Sequence, residues 1–142
     1  MTLLETLAAI TLAGLLTAAV AGGLLRSDGP SRLAEARSEW IYQDQTARSL
    51  AERQGPLLLR AEGKRLELVC EATGTPLRKA RLAARVKVRI SAAAAEPTSS
   101  VRYNRLGCTL SYTVTLASGN AQTQLNVSGT TGWVTSTEGR RR

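Results

Sequence analysis

Residues 6–25 form a run of 20 residues without a charged side chain, and no other feature of the sequence restricts the fold as strongly. As a helix, this run would be about 30 Å long, the thickness of the hydrocarbon core of a bilayer. Every basic residue lies at Arg26 or later, so all 19 Lys and Arg side chains belong to the rest of the chain, whose excess of basic residues sets the net charge of +8. The sequence therefore predicts a hydrophobic N-terminal helix followed by a basic domain.

Three interpretations fit this run: a cleaved secretory signal, an ordinary single-span anchor, and a helix that lies first in a membrane and later in a protein assembly. A signal requires a basic start, but Glu5 is the only charged residue before the run; Ala19-Val20-Ala21 does supply a small-residue cleavage pattern. For an anchor, the basic residues after the run would hold the C-terminal domain in the cytoplasm, and a basic leader would reverse that orientation.

Glu5 lies at the border of the apolar run, where an ionised carboxylate is costly, about 2.5–3.5 kcal/mol at the centre of a span and less near its end. It either forms a capping box with the backbone N–H of Thr2 or pairs with the α-amino group of another subunit. Gly14, Ala18 and Gly22 recur every four residues, so they would line one helix face and admit a closely packed neighbour.

The first residues, MTLLETLAAITLAGLL, resemble the mature N-terminus of type IV pilins and type II secretion pseudopilins. The resemblance implies that a prepilin peptidase removes a leader and that Met1, where the family more often has Phe, becomes N-methylated. It also implies that Glu5 neutralises the terminal amine of the preceding subunit in a filament.

An amphipathic helix is predicted over residues 30–54. Gly29 and Pro30 indicate a break in the preceding helix and the start of a new one. Apolar residues then recur at spacings near three, four and seven, namely Leu33, Ala36, Trp40, Ala47 and Leu50. Polar residues fall between them, namely Arg32, Arg37, Asp44 and Arg48. The pattern predicts a helix with one face on a sheet.

From Gly55 the hydrophobic period changes to two, which indicates antiparallel hairpins. A turn at Glu62–Gly63 would pair Leu59 with Leu66 and Leu57 with Leu68. A turn at Gly119–Asn120 would pair Leu116 with Thr123, Val114 with Leu125 and Tyr112 with Val127. Both registers place apolar side chains on one face of a sheet.

The two cysteines are predicted to face the same core. Cys70 continues the face of Leu66 and Leu68, and Cys108 continues the face of Leu106, Leu110 and Tyr112. A disulfide between them would close a loop of about 38 residues and contribute roughly 4 kcal/mol. The alternative is two buried thiols that pack as small apolar side chains.

Two stretches of the later chain, LAERQGPLLLRAEGKRLELV and SYTVTLASGNAQTQLNVSGTTGWV, resemble the head of H-type minor pseudopilins. The ending Thr131-Gly132-Trp133-Val134 fits that family's TG-x-V ending.

Basic residues are concentrated in two places. Arg85, Lys87 and Arg89 alternate with apolar residues, so they would form the outer face of a strand, either as a solvated edge or as a surface that follows phosphates. The tail, Arg140, Arg141 and Arg142 after Gly139, resembles the G-R-x-R tail with which DNA-uptake minor pilins of a related head type bind DNA. Its alternative is a solvated end.

Residue types that catalysis and metal binding need are scarce. The chain has no His, two Cys cannot complete a four-thiolate site, and no G-x-S-x-G, P-loop or Rossmann glycine pattern is found. We therefore expect no enzymatic activity, no cofactor and no metal.

Together these features predict an α+β, pilin-like chain: a long N-terminal hydrophobic helix over residues 1–29, an amphipathic continuation over 30–54, and a small antiparallel β-sheet head over 55–142.

The expected function is that of a structural minor subunit of a pseudopilus or pilus for protein export. The alternatives are a DNA-binding minor pilin and a plain membrane-anchored periplasmic module. The expected partners are other subunits, the inner membrane and prepilin peptidase, with DNA in the second case. The expected location is the inner membrane, crossed once with a periplasmic head, and then the filament.

Overall fold

The structure, a computed structural model, describes the backbone of residues 3–92 and 97–140, and the side chains of residues 11, 29–92 and 98–139. Within these ranges one helix, α1 (Leu3–Gln54), precedes nine strands. The strands are β1 (Leu57–Glu62), β2 (Arg65–Cys70), β3 (Pro76–Arg81), β4 (Lys87–Ala92), β5 (Pro97–Thr98), β6 (Ser100–Tyr103), β7 (Tyr112–Ser118), β8 (Ala121–Val127) and β9 (Val134–Arg140).

The strands form two antiparallel sheets. The four-stranded sheet has the order β3-β2-β1-β6, and the five-stranded sheet has the order β5-β4-β7-β8-β9. Ser99 alone separates β5 from β6, so the chain passes from one sheet to the other at that residue. Both sheets contact α1, and the core is formed by the apolar face of the helix together with their inner faces.

The expected architecture, a long hydrophobic helix with one small sheet, is wrong. Where side chains are described, the fold is mostly β, and two sheets rather than one pack against α1. Among the described residues, no helix is both long enough and apolar enough to cross a membrane. The prediction of a single-pass inner-membrane protein with a periplasmic head is therefore wrong as well.

The amphipathic face of α1 is confirmed. Leu33, Ala36, Trp40 and Ala47 are buried, and Leu50 packs against the same core. Two expectations for this helix fail. The helix continues through Pro30 without ending, although the proline ring has no N–H for a helix hydrogen bond. Asp44, predicted on the exposed face, is only 1% exposed.

One hairpin has the predicted register and the other does not. The β7–β8 hairpin turns at Gly119–Asn120 and pairs Val114 with Leu125, as expected. The β1–β2 hairpin instead pairs Leu59 with Leu68. Its turn is Gly63–Lys64, with Gly63 at φ 60°, because a two-residue turn of type II′ requires a positive φ at its first central residue. Each residue of β1 pairs with a residue two positions further along β2 than predicted. Because side chains alternate between the two faces of a strand, a shift of two positions keeps the leucines on the buried face.

Residues 104–111 form a loop, so the predicted strand face through this segment is wrong. Gly107 adopts φ 67°, and a Cβ on it would lie 2.8 Å from the backbone oxygen of Arg48. Only glycine fits so close to the helix, and the chain turns there instead of continuing as a strand. Leu106 and Leu110 are consequently 75% and 79% exposed.

The structure does not contain the predicted disulfide. Cys70, on β2, packs against the core, and Cys108 lies in the loop after β6; both are free thiols. Because β1 lies between β2 and β6, these two strands are about 10 Å apart. Cys108 lies beyond β6, in a loop closed by the hydrogen bond from the N–H of Asn104 to the backbone oxygen of Cys108 at 2.8 Å, so β1 separates it from Cys70.

Candidate functional site

A buried carboxylate joins the helix to both sheets. Oδ1 of Asp44 accepts hydrogen bonds from the hydroxyls of Tyr103 at 2.7 Å and Tyr112 at 2.6 Å. Its Oδ2 accepts from Nε of Arg48 at 2.8 Å. We name these four residues the Asp44 cluster. Since Tyr103 lies on the four-stranded sheet and Tyr112 on the five-stranded sheet, one side chain of α1 holds an end of each sheet.

Arg48 extends the cluster to two loops. Its Nη1 donates to the backbone oxygens of Gly129 at 2.9 Å and Gly107 at 3.4 Å, and its Nη2 donates to that of Ser128 at 3.2 Å. Desolvation lowers the pKa of Arg48, but the hydrogen bond and negative charge of Asp44 outweigh it, so the pKa is raised overall. Arg48 therefore stays charged and fixes both loops against α1.

The tyrosines of the cluster are held in their neutral form. Burial raises the pKa of Tyr103 and Tyr112, and the negative charge of Asp44 raises both further. The ring of Trp40 meets that of Tyr112 edge to face, with the centroids 6.4 Å apart.

Both oxygens of Asp44 are occupied by donors and the side chain is buried, so this carboxylate is placed to stabilise the fold rather than to accept a proton from a substrate.

A cleft of about 500 Å³ lies between the two sheets, where the chain passes from one to the other. Ile90, Val101, Tyr112 and Leu110 supply its apolar walls. Arg102 also lines it, but Nη2 of this residue pairs with the carboxylate of Glu71 at 2.8 Å. The other titratable residues of the lining are Cys108 and Tyr112, and the hydroxyl of Tyr112 is already bound to Asp44.

The described residues also contain no group of three or more His, Cys, Asp or Glu side chains that could hold a metal ion.

Five exposed basic residues lie between the β1–β2 turn and the start of β4, and we name this region the cationic end: Lys64, Arg65, Arg81, Arg85 and Lys87. Arg65 and Arg81 are register partners on neighbouring strands, and the N–H of Leu82 donates to the backbone oxygen of Lys64 at 2.9 Å. Sequence analysis predicted Arg85 and Lys87 as basic site residues but missed Lys64 and Arg65, because only the β2–β3 pairing brings them to the same part of the chain as Arg81.

The charges of the cationic end are exposed to solvent. No carboxylate of the described residues forms an ion pair with them, although Glu62 is the register partner of Arg65. Like charges directly opposite each other destabilise a sheet, and Arg85 adopts φ 68°, which is uncommon outside glycine. The cationic end therefore carries positive charge that no described carboxylate neutralises in an ion pair.

The two basic segments predicted from the sequence do not meet. Lys87 and Arg89 lie on β4, whose neighbour β5 has only two residues, whereas Arg140 ends β9 at the opposite edge of the same sheet. Three strand spacings, about 14 Å, separate β4 from β9. The side chain of Arg140 lies outside the described residues, and so do Arg141 and Arg142.

The structure describes little of the residues that were predicted to direct processing and assembly. Met1 is not among the described residues. The backbone of Glu5, Gly14, Ala18 and Gly22 belongs to α1, but nothing of their side chains is described. The pairing of Glu5 and the small-residue face therefore stay predictions.

Sequence analysis missed the Asp44 cluster because helical periodicity placed Asp44 among the exposed residues. Two signals were available: Asp44 and Arg48 have the spacing of an ion pair on one helix face, and Tyr112 was predicted to face the core, where its hydroxyl needs a partner. The acceptor for that hydroxyl lies on α1, 68 residues away in sequence.

Comparisons with protein-family models, with curated proteins and with solved structures return no match to this chain.

We expect Asp44→Ala to lower the free energy of unfolding by about 3–5 kcal/mol, because it leaves the charge of Arg48 and two tyrosine hydroxyls without their acceptor. Urea denaturation measures the change. Gln45→Ala, at the adjacent exposed position, is the control and should change the free energy by less than about 0.5 kcal/mol. A loss of under about 1 kcal/mol for Asp44→Ala would show that the cluster is not needed for stability.

The raised pKa values of Tyr103 and Tyr112 predict a loss of stability at alkaline pH. Both phenols are protonated in either state below their ordinary pKa of about 10, so their contribution is fully present there. Above that pH the unfolded chain releases these protons and the folded chain keeps them, so stability falls by about 1.4 kcal/mol per pH unit for each tyrosine. Urea denaturation between pH 9 and pH 11.5 tests this. Tyr112→Phe should reduce the slope by about half, and an unchanged slope contradicts the assignment.

Proposed function

We propose that this chain is a structural minor subunit of a type II secretion pseudopilus or type IV pilus, assembled through α1 and serving protein export. The observation that carries this proposal is the length of α1 relative to the sheets. The helix has 52 residues, about 78 Å, whereas a strand of seven residues covers about 23 Å. The sheets can therefore cover only part of the helix.

The distribution of apolar residues along α1 supports the same proposal. Its buried positions in the described part, Leu33 to Ala51, face the two sheets. Residues 6–25 of the same helix carry no charge, so they need an apolar surface of their own. Equivalent helices of other subunits would supply that surface, and a repeated contact of this head-to-tail kind that does not close on itself builds a filament.

Glu5 would set the position of each subunit along such a filament. Among packed apolar helices, a carboxylate is stable only beside an opposite charge, and the terminal amine of a neighbouring subunit provides one. Subunits shifted along the axis would leave both charges unpaired, so the pairing selects one axial register.

Glu5→Ala tests this role in cells that produce the filament. We expect the variant to fold normally but to be recovered in sheared filaments at a level at least about tenfold lower, because the amine of the neighbouring subunit loses its partner. Glu52→Ala, which removes an exposed carboxylate from the last turns of α1, is the matched control and should assemble normally. Normal recovery of Glu5→Ala, by immunoblot of the filament fraction, contradicts the proposal.

A second candidate function is DNA binding during DNA uptake. The observation that favours it is the cationic end, where exposed basic side chains from β2, β3 and the β3–β4 connection gather without ion-pair partners among the described residues. Binding of this kind would follow phosphates, be indifferent to sequence and weaken steeply with salt. Binding at the cationic end would need no contribution from the basic C-terminal tail, because Arg140 lies at the other edge of the five-stranded sheet.

The double variant Arg81→Ala/Arg85→Ala tests this candidate in a titration with duplex DNA over a salt series. We expect weaker binding and a salt slope lower by about one for each phosphate contact removed. The control is Arg53→Ala/Arg105→Ala, which removes the same charge from exposed positions near the C-terminal end of α1. Equal affinities of the two double variants contradict a site at the cationic end. A chain ending at Gly139 shows separately whether the tail contributes.

A further inference from the structure

The five-stranded sheet carries a groove of about 300 Å³ at the end of its outer face, beside an exposed tryptophan. Trp133 is 71% exposed, although burying an indole is strongly favourable and most tryptophans are largely buried. Most of the groove is lined by hydroxyls, one amide and an indole, from Ser111, Thr113, Asn126, Ser128, Trp133 and Thr135. Tyr112 and Val127 complete the lining, but both are buried in the core, at 4% and 2% exposure, and the hydroxyl of Tyr112 is bound to Asp44.

The sheet extends this polar surface beyond the groove as far as β4, where the exposed Arg89 is the register partner of Thr115. Thr113, Asn126 and Thr135 form one row across β7, β8 and β9, and the next outward row is Thr115, Gln124 and Thr137. In the first row, the hydroxyl of Thr113 donates to Oδ1 of Asn126 at 2.9 Å, which leaves the amide N–H groups of Asn126 as donors. A flat face of hydroxyls and amides thus leads away from Trp133.

The turn that carries Trp133 is held rigidly. Within it, the N–H of Ser128 donates to the backbone oxygen of Trp133 at 2.9 Å, and the N–H of Gly132 donates to that of Ser128 at 2.9 Å. Gly132 adopts φ 69°, and a Cβ on it would lie 3.1 Å from Nε of Arg48. Arg48 binds the turn through the carbonyls of Ser128 and Gly129 and is itself fixed by Asp44. The backbone of the turn that carries Trp133 is therefore fixed before any ligand binds.

We propose that this groove binds a neutral polysaccharide. A sugar ring presents C–H groups on its faces, which pack on an indole, and hydroxyls around its rim, which exchange hydrogen bonds with serine, threonine and asparagine side chains. The described lining carries no charged side chain, because its one titratable group, the phenol of Tyr112, is neutral and bound to Asp44. This favours an uncharged ligand over a nucleotide, whose phosphates require cations. Trp133 and the polar side chains around it supply both kinds of contact. This inference is independent of assembly and of DNA binding.

The test is a titration of the full chain with cellohexaose, maltohexaose and chitohexaose, followed by isothermal calorimetry and tryptophan fluorescence. The chain has two tryptophans, and Trp40 is fully buried, so a change in emission on binding reports on Trp133. At least one of the three oligosaccharides should bind and shift the emission to shorter wavelength. We expect Trp133→Ala to weaken binding at least tenfold, Trp133→Tyr to restore most of it, and Asn126→Ala to weaken it severalfold.

Leu110→Ala, which removes another exposed apolar side chain, is the control and should bind as the unaltered chain does. The proposal is overturned if none of the three oligosaccharides binds at millimolar concentration, or if Trp133→Ala binds as well as the unaltered chain. It is also overturned if a single-stranded oligonucleotide binds in the groove in place of the sugar. Sedimentation velocity supplies a further test. If Trp133→Ala alters self-association while sugar binding stays the same, the proposal is overturned, because that result assigns Trp133 to a protein contact.

Discussion

The carboxylate of Asp44, at 1% exposure, is the constraint on which the rest of the structure depends. An ionised side chain buried this deeply is stable only if donors surround it, and the donors come from three different elements. Tyr103 brings the four-stranded sheet to the helix, Tyr112 brings the five-stranded sheet, and Arg48 comes from α1 itself. The relative position of the two sheets therefore follows from hydrogen bonds to one side chain as well as from apolar packing.

The same cluster determines what the surface offers. Through Arg48 it fixes the loop of Gly107 and the turn that ends at Trp133, so the groove beside Trp133 is built on a turn that the cluster holds in place. The cationic end lies at the far end of β1, about 20 Å away, where no buried charge restrains the side chains. The polar groove and the cationic end thus occupy separate parts of one small molecule.

Local turn chemistry explains where prediction from the sequence was right and where it was wrong. Gly119–Asn120 was placed correctly, with glycine as the first central residue, and every pairing of β7 with β8 followed from it. At Glu62–Gly63 the glycine was assigned to the second central position, and the register moved accordingly. The alternation through Leu106 and Leu110 failed because Gly107 passes against α1, a contact between segments 59 residues apart.

By itself, the sequence determined the periodicities: a helix with an apolar face, strands with alternating faces, and an uncharged run before the basic part of the chain, because these follow from neighbouring residues. Only the tertiary structure decided that Asp44 is buried, that the cysteines stay apart, that Arg65 and Arg81 meet, and that Trp133 faces a polar groove. Each of these depends on residues distant in sequence, and the free energy of a buried charge or an exposed indole is set by the neighbours that folding supplies.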